Sequence, residues 1–348
     1  MKKRILVAPL NWGLGHATRC IPILTALDAS GFQPIIASDG LALTLLQKEF
    51  PQFSSIELPS YGVTYSKKGS HFKLKMIKDS PKLVKAIKAE KKAIRDIVET
   101  HNISGIISDN RLGVYNKHVP CAFITHQLNV LSGTTTWFST KLHEKYITRF
   151  NECWVPDAES DLNLSGKLGH KKHLSITTKY MGPISRFTKM DLEESIDLLV
   201  LLSGPEPQRS LLEDKLLKEV KNFSGNVVVV RGIPQKQQTI EQKQGVTIYN
   251  FMTSNRLEKT INQSKLVLSR SGYTTVMDLA KLEKKAFFIP TPGQTEQEYL
   301  AKRLTQQGFV PSCSQKDFSI FLLDKISEYK GLKSFNTQVD YKDLFSLF

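Results

Sequence analysis

Short runs of apolar residues alternate along the chain with polar turns and with longer amphipathic segments. The apolar runs predict strands, and the segments with apolar residues at every third or fourth position predict helices. In the first half, the predicted strands are residues 5–10, 33–38, 55–58, 105–108, 121–125, 153–155 and 179–184. Because strands alternate with helices, this half is predicted to form a doubly wound α/β sheet.

The same pattern begins again in the second half. Its predicted strands are residues 197–202, 226–231, 246–251, 266–269 and 286–289. A Gly/Ser/Lys-rich stretch and then the Gly182-Pro183 turn separate the halves, so we expect the domain boundary at Pro183. The predicted parts are an N-terminal domain of residues 1–183, a C-terminal domain of residues 184–330, and a tail, residues 331–348, expected to return to the first domain.

The segment 266–304 carries two strand–loop–helix repeats in succession. In the first repeat, Thr274 or Thr275 is predicted to cap a helix that follows the Ser-Arg-Ser-Gly loop. Parallel strands place both loops at the carboxyl edge of a sheet, where open α/β folds bind ligands. A helix N-terminus there offers N–H groups to an anion. Acceptors for sugar hydroxyls would be Asp278, Gln297 and Glu298.

The same side chains fit a purely local role. Thr275 and Asp278 resemble a capping box, and acids such as Glu298 are common in the first turn of a helix. Taken alone, the segment leaves helix capping and ligand binding both open.

The first predicted strand leads into Asn-Trp-Gly-Leu-Gly-His, residues 11–16. Gly13 and Gly15 allow a tight turn into a helix, and His16 at the helix start faces the carboxyl edge of the sheet. A helix N-terminus lowers the pKa of a histidine, which favours a neutral imidazole that can accept a proton. The alternative is a histidine that only hydrogen-bonds the turn.

A dinucleotide-binding motif is a second interpretation of this turn. Gly13 and Gly15 are followed by Thr18 where the motif has its third glycine, and Asp39 ends the second strand where a ribose-binding acid belongs. NAD binding is therefore the alternative for this half.

Polar residues follow two further strands of the first half. Asp109 comes after one strand and His126 after another. Because parallel strands end at one edge, both are expected to join His16 around an acceptor hydroxyl. Each is also an ordinary residue for a turn at a strand end.

The first strand of the second half ends in Ser203 and Gly204, before a helix. Gly204, the helix N-terminus and Arg209 are candidates to hold phosphate, although two prolines remove N–H groups from this loop. Just past the domain boundary, Arg186 is placed to reach a diphosphate. Met252 follows another strand and is a candidate to pack a base, although apolar residues there are more often core.

Length and composition limit the class of protein. A chain of 348 residues fits two domains, and 40% hydrophobic with 23% charged residues is typical of a globular protein. The four cysteines lack metal-ligand spacing, and the N-terminal Met-Lys-Lys-Arg leads into a strand without a signal-peptide core. We expect a cytoplasmic protein with reduced cysteines.

The net charge of +15 is concentrated between Lys67 and Arg95, which hold eleven Lys/Arg against two acids. This segment predicts an anionic partner, and an anionic membrane surface is favoured because Tyr61, Tyr65 and Phe72 are close by. Nucleic acid is not favoured, because no recognised nucleic-acid motif occurs. The alternative is a solvated helix face behind which an apolar stripe packs on the core.

Taken together, these motifs resemble the GT-B glycosyltransferases, closest to the MurG-like group that moves N-acetylglucosamine from UDP to a lipid-linked acceptor. The resemblance covers residues 4–310. It rests on Gly-Leu-Gly-His at 13–16, Thr-His-Gln-Leu-Asn at 125–129, Gly-Pro-Ile-Ser-Arg at 182–186, Asn-Phe-Met at 250–252, Ser-Arg-Ser-Gly at 269–272 with Asp278, and Gln297-Glu298. It implies two Rossmann-like α/β domains facing a cleft.

The resemblance also implies residue roles. His16 matches the acceptor-side histidine, Arg186 the arginine on the donor phosphate, and Met252 the position whose backbone holds uracil. Asp278 takes the place of the glutamate that binds the ribose. Gln297 and Glu298 match two glutamines that read the donor sugar. The sequence departs from the family pattern in two places: Glu298 replaces a glutamine, and the loop Ser-Gly-Pro-Glu-Pro replaces Gly-Gly-Ser. These departures imply that the donor sugar is not N-acetylglucosamine, while the donor nucleotide is still expected to be UDP.

The sequence therefore predicts an inverting, metal-independent glycosyltransferase without a cofactor, since no Asp-x-Asp pair occurs. His16 or Asp109 would be the base, and the acceptor site would also hold Gly13, Gly15, His126 and Asn129. The donor site would hold Arg186, Ser203, Gly204, Arg209, Met252, Ser271, Gly272, Thr274, Asp278, Gln297 and Glu298. The expected partners are a nucleotide-sugar donor, a carbohydrate or lipid-linked acceptor, and an anionic membrane touched from the cytoplasmic side. The alternatives are a nucleotide-sugar epimerase and a non-catalytic protein that binds nucleotide sugar or lipid.

Overall fold

The structure is a computed structural model that describes residues 2–61, 72–130, 136–171, 173–233, 235, 237–243 and 245–348, without the side chains of residues 72–81 and 138. The described chain divides into two compact units. Unit 1 holds the described residues up to Arg186 together with Thr337–Phe348, and unit 2 is Phe187–Asn336.

Unit 1 is built on a seven-stranded parallel sheet. Its strands are β1 (Arg4–Pro9), β2 (Gln33–Ser38), β3 (Ser55–Glu57), β4 (Ile103–Asp109), β5 (Cys121–Ile124), β6 (Glu152–Val155) and β7 (Thr177–Tyr180), in the order β3-β2-β1-β4-β5-β6-β7. The helices up to Arg186 are α1 (Gly15–Ala29), α2 (Gly40–Glu49), α3 (Phe72–Thr100) and α4 (Thr136–Ile147). The central strands are apolar along nearly their whole length because helices cover a parallel sheet on both faces.

Unit 2 is built on a six-stranded sheet. Its strands are β8 (Ile196–Leu201), β9 (Val227–Val230), β10 (Ile240–Lys243), β11 (Val246–Tyr249), β12 (Ser264–Ser269) and β13 (Lys285–Phe288), in the order β10-β11-β9-β8-β12-β13. The helices are α5 (Gln208–Glu219), α6 (Ser254–Asn262), α7 (Tyr273–Lys281) and α8 (Thr295–Gln306). All pairings are parallel except β10 with β11, which form a hairpin.

The chain passes from unit 1 to unit 2 after Arg186, three residues beyond the predicted boundary, and returns at Thr337 instead of residue 331. Leu332 and Phe335 are buried, and the Phe335 ring packs edge-on against Phe309 of unit 2 with centroids 4.7 Å apart. These contacts keep the first residues of the predicted tail in unit 2.

The returning segment ends in α9 (Tyr341–Phe345) and packs on unit 1 through aromatic rings. The Phe345 ring lies 5.9 Å from that of Phe32, and the Phe348 ring lies 6.1 Å from that of Trp154. A Cβ at Gly105 would collide with the Phe348 ring, so this glycine makes room for the tail.

The α/β class with two mostly parallel sheets is confirmed, and two details differ. The strand predicted at residues 179–184 is shifted to Thr177–Tyr180. The hairpin strand Ile240–Lys243 was not predicted, because an edge strand whose four residues are all exposed has no apolar run.

In both sheets the strand order reverses at one place, and there the crevice at the carboxyl edge can hold a ligand. In unit 1 the reversal lies between β1 and β4, where Pro9 is paired with Asp109. In unit 2 it lies between β8 and β12, where Leu201 is paired with Ser269. The candidate side chains of each unit gather at these two positions.

Candidate active site

His16 and Asp109 meet at the crevice of unit 1. His16 lies in the first turn of α1, directly after the loop that follows β1, and Asp109 is the last residue of β4. The imidazole Nδ1 is 2.9 Å from the Asp109 Oδ1. Asp109 is fully buried, while the His16 side chain keeps 16% of its surface exposed. Of the two candidate bases, His16 is the one that an acceptor can reach.

A third residue, Arg19, completes this group. Its guanidinium forms a two-pronged ion pair with both carboxylate oxygens of Asp109. The Arg19 Nη2 lies 2.9 Å from the His16 Nδ1, and the Arg19 Nη1 lies 3.1 Å from the His126 Nδ1. Arg19 is 2% exposed, so its charge is balanced inside the protein by Asp109. The four side chains therefore form one polar network, which is buried except at His16.

The pKa values in this network follow from burial and charge. Burial lowers the pKa of His16 below 6.5, opposed by the charge of Asp109 and helped by that of Arg19. Burial alone would raise the pKa of Asp109, but the neighbouring Arg19 and His16 hold it well below its usual range. At neutral pH, Asp109 is ionised and His16 is neutral. The largest cause of the lowered pKa of His16 is burial.

The other acceptor-side candidates have structural contacts of their own. His126 is buried beside Arg19. The Asn129 Nδ2 donates to the carbonyls of Lys167 and His170 at 2.6 and 3.1 Å, which ties two loops together. Gly13 has φ +73° with open space where a Cβ would lie, and Gly15 begins α1. The turn before His16 therefore has open space at Gly13.

Asp39, the acid expected to hold ribose under the NAD interpretation, is engaged elsewhere. Its carboxylate accepts a hydrogen bond from Arg111 Nη1 at 2.7 Å and one from Asn11 Nδ2 at 3.2 Å. Arg111 is fully buried and also contacts Glu90, with its Nε 2.6 Å from the Glu90 Oε1. Because Asp39 is 4% exposed and holds a buried arginine, the structure does not favour NAD binding at this position.

Unit 2 brings the donor-side loops together at its own crevice. Ser203 and Gly204 follow β8, and both are exposed. Ser271 and Gly272 follow β12; the Ser271 hydroxyl donates to the Gln297 carbonyl at 2.8 Å, and a Cβ on Gly272 would meet nothing. This part of the crevice is open and lined by small residues.

Helix α7 begins earlier than the sequence predicted. Gly272 is its N-cap in extended conformation and has no side chain that could cap it. The expected capping by Thr274 or Thr275 and the capping box with Asp278 are therefore wrong, because the helix starts directly after a three-residue turn. Thr274 and Thr275 lie in the first turn, and Asp278 lies one turn further on. A helix N-terminus at this edge of the sheet suits an anionic ligand.

The loop between β13 and α8 is braced by the pair Gln297 and Glu298. The Gln297 Oε1 accepts from the Thr291 N–H at 2.9 Å, and the Glu298 Oε1 accepts from the Gly293 N–H at 2.8 Å. Both side chains thus have local hydrogen-bond partners in the loop before α8. The Gln297 Nε2 donates to the Gln294 Oε1 at 2.7 Å.

Thr291 stands out in this loop. It is 2% exposed, and its Oγ1 has no hydrogen-bond partner among the described residues. That hydroxyl is 3.7 Å from where a Cβ on Gly204 would lie. A buried hydroxyl without a partner costs free energy, so its presence at the crevice points to a polar ligand.

We expect Thr291→Val to raise the free energy of unfolding of the ligand-free protein by about 1 kcal/mol, because it removes a buried, unpaired hydroxyl. The matched control is Thr305→Val, which deletes a hydroxyl that donates to the Val310 carbonyl at 2.8 Å. The control is expected to lose about 1 kcal/mol. Chemical denaturation measures both changes. An equal loss in both variants would contradict the assignment of Thr291 as unpaired.

Arg209 does not carry a spare charge to the phosphate loop, as the sequence had suggested. Its guanidinium pairs with Glu206, and its Nη1 lies 2.8 Å from the Glu213 Oε2. Glu213 also binds Arg231, so a chain of alternating charges covers this side of α5. With two carboxylates on one buried arginine, we leave Arg209 out of the donor site.

Met252 and Arg186 are the other two candidates for the donor site. Met252 lies in the loop between β11 and α6, where its Sδ is 3.4 Å from the Thr260 hydroxyl. The carbonyl of the preceding Phe251 already accepts from the Gln238 Nε2 at 2.7 Å. Arg186 is the last residue before unit 2 and belongs to unit 1.

The sequence reasoning missed Arg19, Arg111, Arg270 and Thr291. Arg19 lies three residues after His16, on the same helix face, which was the available signal. Arg270 is buried, and its Nη2 donates to the Gln208 carbonyl at 2.9 Å. It also donates to carbonyls after β13, so it braces the loops around the crevice. No sequence pattern marked Thr291, since its hydroxyl lies near Gly204, a residue far away in the sequence.

Part of the basic segment Lys67–Arg95 can be located. Residues 62–71, with Tyr65, Lys67 and Lys68, lie outside the described residues. From residue 82 onward, the helix α3 exposes five lysines and Arg95, while Ile87, Ile94 and Val98 are buried. Basic residues and the core-facing stripe thus occupy opposite faces. Among the described helices, none is long and apolar enough to cross a membrane.

The chain is similar in sequence to proteins named as glycosyltransferases. Residues 208–330 match the family described as "Glycosyltransferase family 28 C-terminal domain". The chain is 25% identical over 203 residues to the UDP-N-acetylglucosamine–N-acetylmuramyl-(pentapeptide) pyrophosphoryl-undecaprenol N-acetylglucosamine transferase of Haemophilus ducreyi, covering 56% of this chain and 54% of that relative. The chain thus spans about half the length of that curated relative.

Two further similarities extend over most of the chain. An uncharacterised glycosyltransferase of Methanopyrus kandleri is 22% identical over 314 residues, which is 85% of each chain. The crystal structure of Acinetobacter baumannii MurG matches with a TM-score of 0.60 at 11% identity, covering 100% of this chain and 98% of that one. At this identity the structural match establishes the fold alone. In fold the chain is similar to the GT-B glycosyltransferases, and in sequence it is similar to MurG-like transferases, with residues 208–330 matching the family 28 C-terminal domain.

Proposed function

We propose that this glycosyltransferase transfers a sugar from a UDP-linked donor to a hydroxyl of a carbohydrate or lipid-linked acceptor, with inversion and without a metal ion. The observation that carries the proposal is the hydrogen bond between the accessible His16 and the buried, ionised Asp109 at the crevice of unit 1. A neutral imidazole held by a carboxylate is a general base.

Unit 1 supplies the base. When the His16 Nδ1–H donates to Asp109, the lone pair on Nε2 can take the proton of an acceptor hydroxyl. The hydroxyl oxygen forms a bond to the anomeric carbon as the bond from that carbon to the diphosphate oxygen breaks. The attack comes from the face opposite the leaving group, so the configuration is inverted. The proton ends on His16, and the electron pair of the broken bond leaves with UDP.

Unit 2 supplies the donor site. The N-terminus of α7 and the exposed Gly204 favour the diphosphate. The role of Arg186 at the donor phosphate stays a prediction from the sequence. Because these groups provide the stabilisation, and the sequence has no Asp-x-Asp pair, the proposed reaction uses no metal. Small side chains next to α7 leave space for the ligand. We assign this role to Ser203, Ser271, Gly272 and Thr274.

The remaining donor contacts are proposed from position and chemistry. Asp278 would accept hydrogen bonds from the ribose hydroxyls, and the backbone at Met252 would hold uracil. The Gln297 and Glu298 side chains brace the loop that faces the sugar and would accept from its hydroxyls. The unpaired Thr291 hydroxyl would be a further partner for the donor. The carboxylate of Glu298 favours a donor sugar other than N-acetylglucosamine.

The acceptor side of the proposal includes a membrane. The name of the Haemophilus ducreyi relative gives a pyrophosphoryl-undecaprenol acceptor, which is a lipid. Here the exposed basic face of α3, together with the net charge of +15, favours peripheral contact with an anionic membrane from the cytoplasmic side. His126 and the turn Gly13–Gly15 would border the acceptor, with Asn129 shaping the loop beside them.

The donor class is tested by thermal stability against free nucleotides. We expect UDP, and not NAD, to raise the melting temperature, because a ligand that binds only the folded protein stabilises it. At a UDP concentration of one hundred times Kd the gain is about 2.7 kcal/mol. The variant Asp278→Ala should lose most of this gain, whereas Asp324→Ala, an exposed aspartate of unit 2, should keep it.

Three outcomes would contradict the proposal. Stabilisation by NAD and not by UDP would favour a dinucleotide enzyme. Turnover of a UDP-sugar to an isomer with no acceptor present would favour an epimerase. A protein that binds UDP but shows no transfer to any hydroxyl acceptor would be a binding protein.

A further inference from the structure

Arg19 contacts three ionisable side chains at once. Its Nε and Nη2 bind the carboxylate of Asp109, its Nη2 also approaches the His16 Nδ1 at 2.9 Å, and its Nη1 approaches the His126 Nδ1 at 3.1 Å. These contacts come from three elements: α1, the end of β4 and the loop after β5. One rigid guanidinium therefore links both histidines of the site to its buried carboxylate.

The chemistry of arginine decides the proton position on His126. A guanidinium has five N–H donors and no acceptor, so the His126 Nδ1 must accept the hydrogen bond from Arg19. An accepting Nδ1 carries no proton. His126 is therefore neutral with its proton on Nε2, and it is a hydrogen-bond donor and not a base.

His16 has two competing partners at the same atom. Its Nδ1 is 2.9 Å from the Asp109 Oδ1, to which it can donate, and 2.9 Å from the Arg19 Nη2, from which it can accept. Only the first arrangement leaves a lone pair on Nε2 for an acceptor hydroxyl. Arg19 already uses its Nε and Nη2 to bind both oxygens of Asp109, which keeps that carboxylate charged and ready to accept from His16.

We propose that Arg19 is the positioning residue that fixes the protons of both histidines, placing the His126 proton on Nε2 and, through Asp109, the His16 proton on Nδ1. The proposal rests on the proposed transfer reaction, because only a base requires His16 in this form. Arg19 touches no substrate in this mechanism. Its positive charge also opposes the doubly protonated form of His16, so the imidazole stays neutral before it accepts the hydroxyl proton.

Other titratable groups face this network and enter the pH argument. The Cys20 Sγ lies 3.7 Å from the Asp109 Oδ2, and burial raises the pKa of Cys20 well above its usual range, so it stays a neutral thiol. His143 is near His126, and burial lowers its pKa to about 4, so it too is neutral. Asp109 and Arg19 are then the two fixed charges around His16.

The direct test is ¹⁵N NMR of the imidazole rings in the full chain at pH 7.5, which distinguishes the two neutral tautomers without any turnover. His16→Gln and His126→Gln variants assign the signals. We expect the Nε2–H tautomer for His126 and the Nδ1–H tautomer for His16. An Nδ1–H tautomer for His126, or an imidazolium at either residue at this pH, would overturn the proposal. Because no substrate is needed, this result is independent of whether the transfer reaction is the right one.

Variants provide the second test. In Arg19→Met, we expect the acid limb of the pH–rate profile to move to higher pH by about one unit, since the charge that opposes protonation of His16 is gone. We also expect kcat at pH 7 to fall at least about tenfold. Arg19→Lys keeps a donor-only charge, so the limb should stay in place. A merely structural role would lower activity in both variants without moving the limb.

Arg111→Met is the matched control. Arg111 is another fully buried arginine at the same sheet edge. Among the described residues, its hydrogen-bond partners are Asp39, Glu90 and backbone carbonyls, and neither histidine is one of them. Its loss should leave the imidazole signals of His16 and His126 unchanged. If Arg19→Met does not fold, the tautomers of the unmodified protein still decide the proposal.

Discussion

Replacement of His16 by glutamine is expected to lower kcat for sugar transfer by about a thousandfold, because the acceptor hydroxyl then loses its general base. Glutamine keeps a polar group of similar reach, and it can still donate to Asp109. Binding of UDP, which we assign to unit 2, should be unchanged. Initial rates with a UDP-sugar and its acceptor, together with the UDP-dependent melting temperature, separate the two effects.

The control for this variant is His118→Gln, a change at an exposed histidine of unit 1. It should leave kcat unchanged. In the unmodified enzyme, kcat/KM should be flat above pH 6.5 and decline at a lower pH, because burial holds the pKa of His16 below 6.5 and the protonated ring cannot act as a base. Full activity in His16→Gln would exclude the histidine as the base.

Replacement of Arg111 by methionine is expected to lower the free energy of unfolding by about 3 to 5 kcal/mol. Arg111 is fully buried between the carboxylates of Glu90 and Asp39, and its Nη2 donates to the Pro59 carbonyl at 2.6 Å. Without it, two acids that are almost completely buried lose their positive partner. Burial already raises the pKa of Glu90, so the variant should take up a proton at Glu90 on folding.

Denaturant titration at pH 7 measures this loss. The matched control is Arg95→Met, which breaks the ion pair of Arg95 with Asp96 on the surface of α3, where the two side chains are 68% and 62% exposed. An exposed pair of this kind contributes about 0.5 kcal/mol or less. If Arg111→Met cost no more than this control, the buried group would not stabilise unit 1.

The strands could be predicted because each needs only a short apolar run, and helices cover both faces of a parallel sheet. The alternation of strands and helices also placed the residues that follow each strand at the carboxyl edge of the sheet. His16 and Asp109 were therefore expected to lie close together. The strand Ile240–Lys243 could not be found this way, because it lies exposed at the sheet edge and pairs through its backbone.

The site residues that escaped prediction depend on contacts distant in sequence. Arg19 looked like an ordinary polar position of a helix, and only the arrival of Asp109 from β4, ninety residues later, makes it a buried partner. For Arg209, which was predicted to hold phosphate, the deciding contacts are close in sequence. Glu206 and Glu213 lie within about one helical turn and neutralise its charge. Charge alone, without the identity of the neighbour, did not separate a ligand-binding arginine from a paired one.

The tail that returns to unit 1 makes unit 2 an insertion within unit 1. During synthesis, the sheet of unit 1 up to Tyr180 leaves the ribosome before unit 2, yet Phe345 and Phe348, which cover Phe32 and Trp154, come after it. Unit 2 spans the 150 residues from Phe187 to Asn336. At roughly 5 to 20 residues per second, the ring of Trp154 stays uncovered for about 10 to 40 s until Phe348 is made. The first unit to emerge is therefore the last to be completed, and a nascent chain of this protein is exposed to chaperones and to aggregation during that interval.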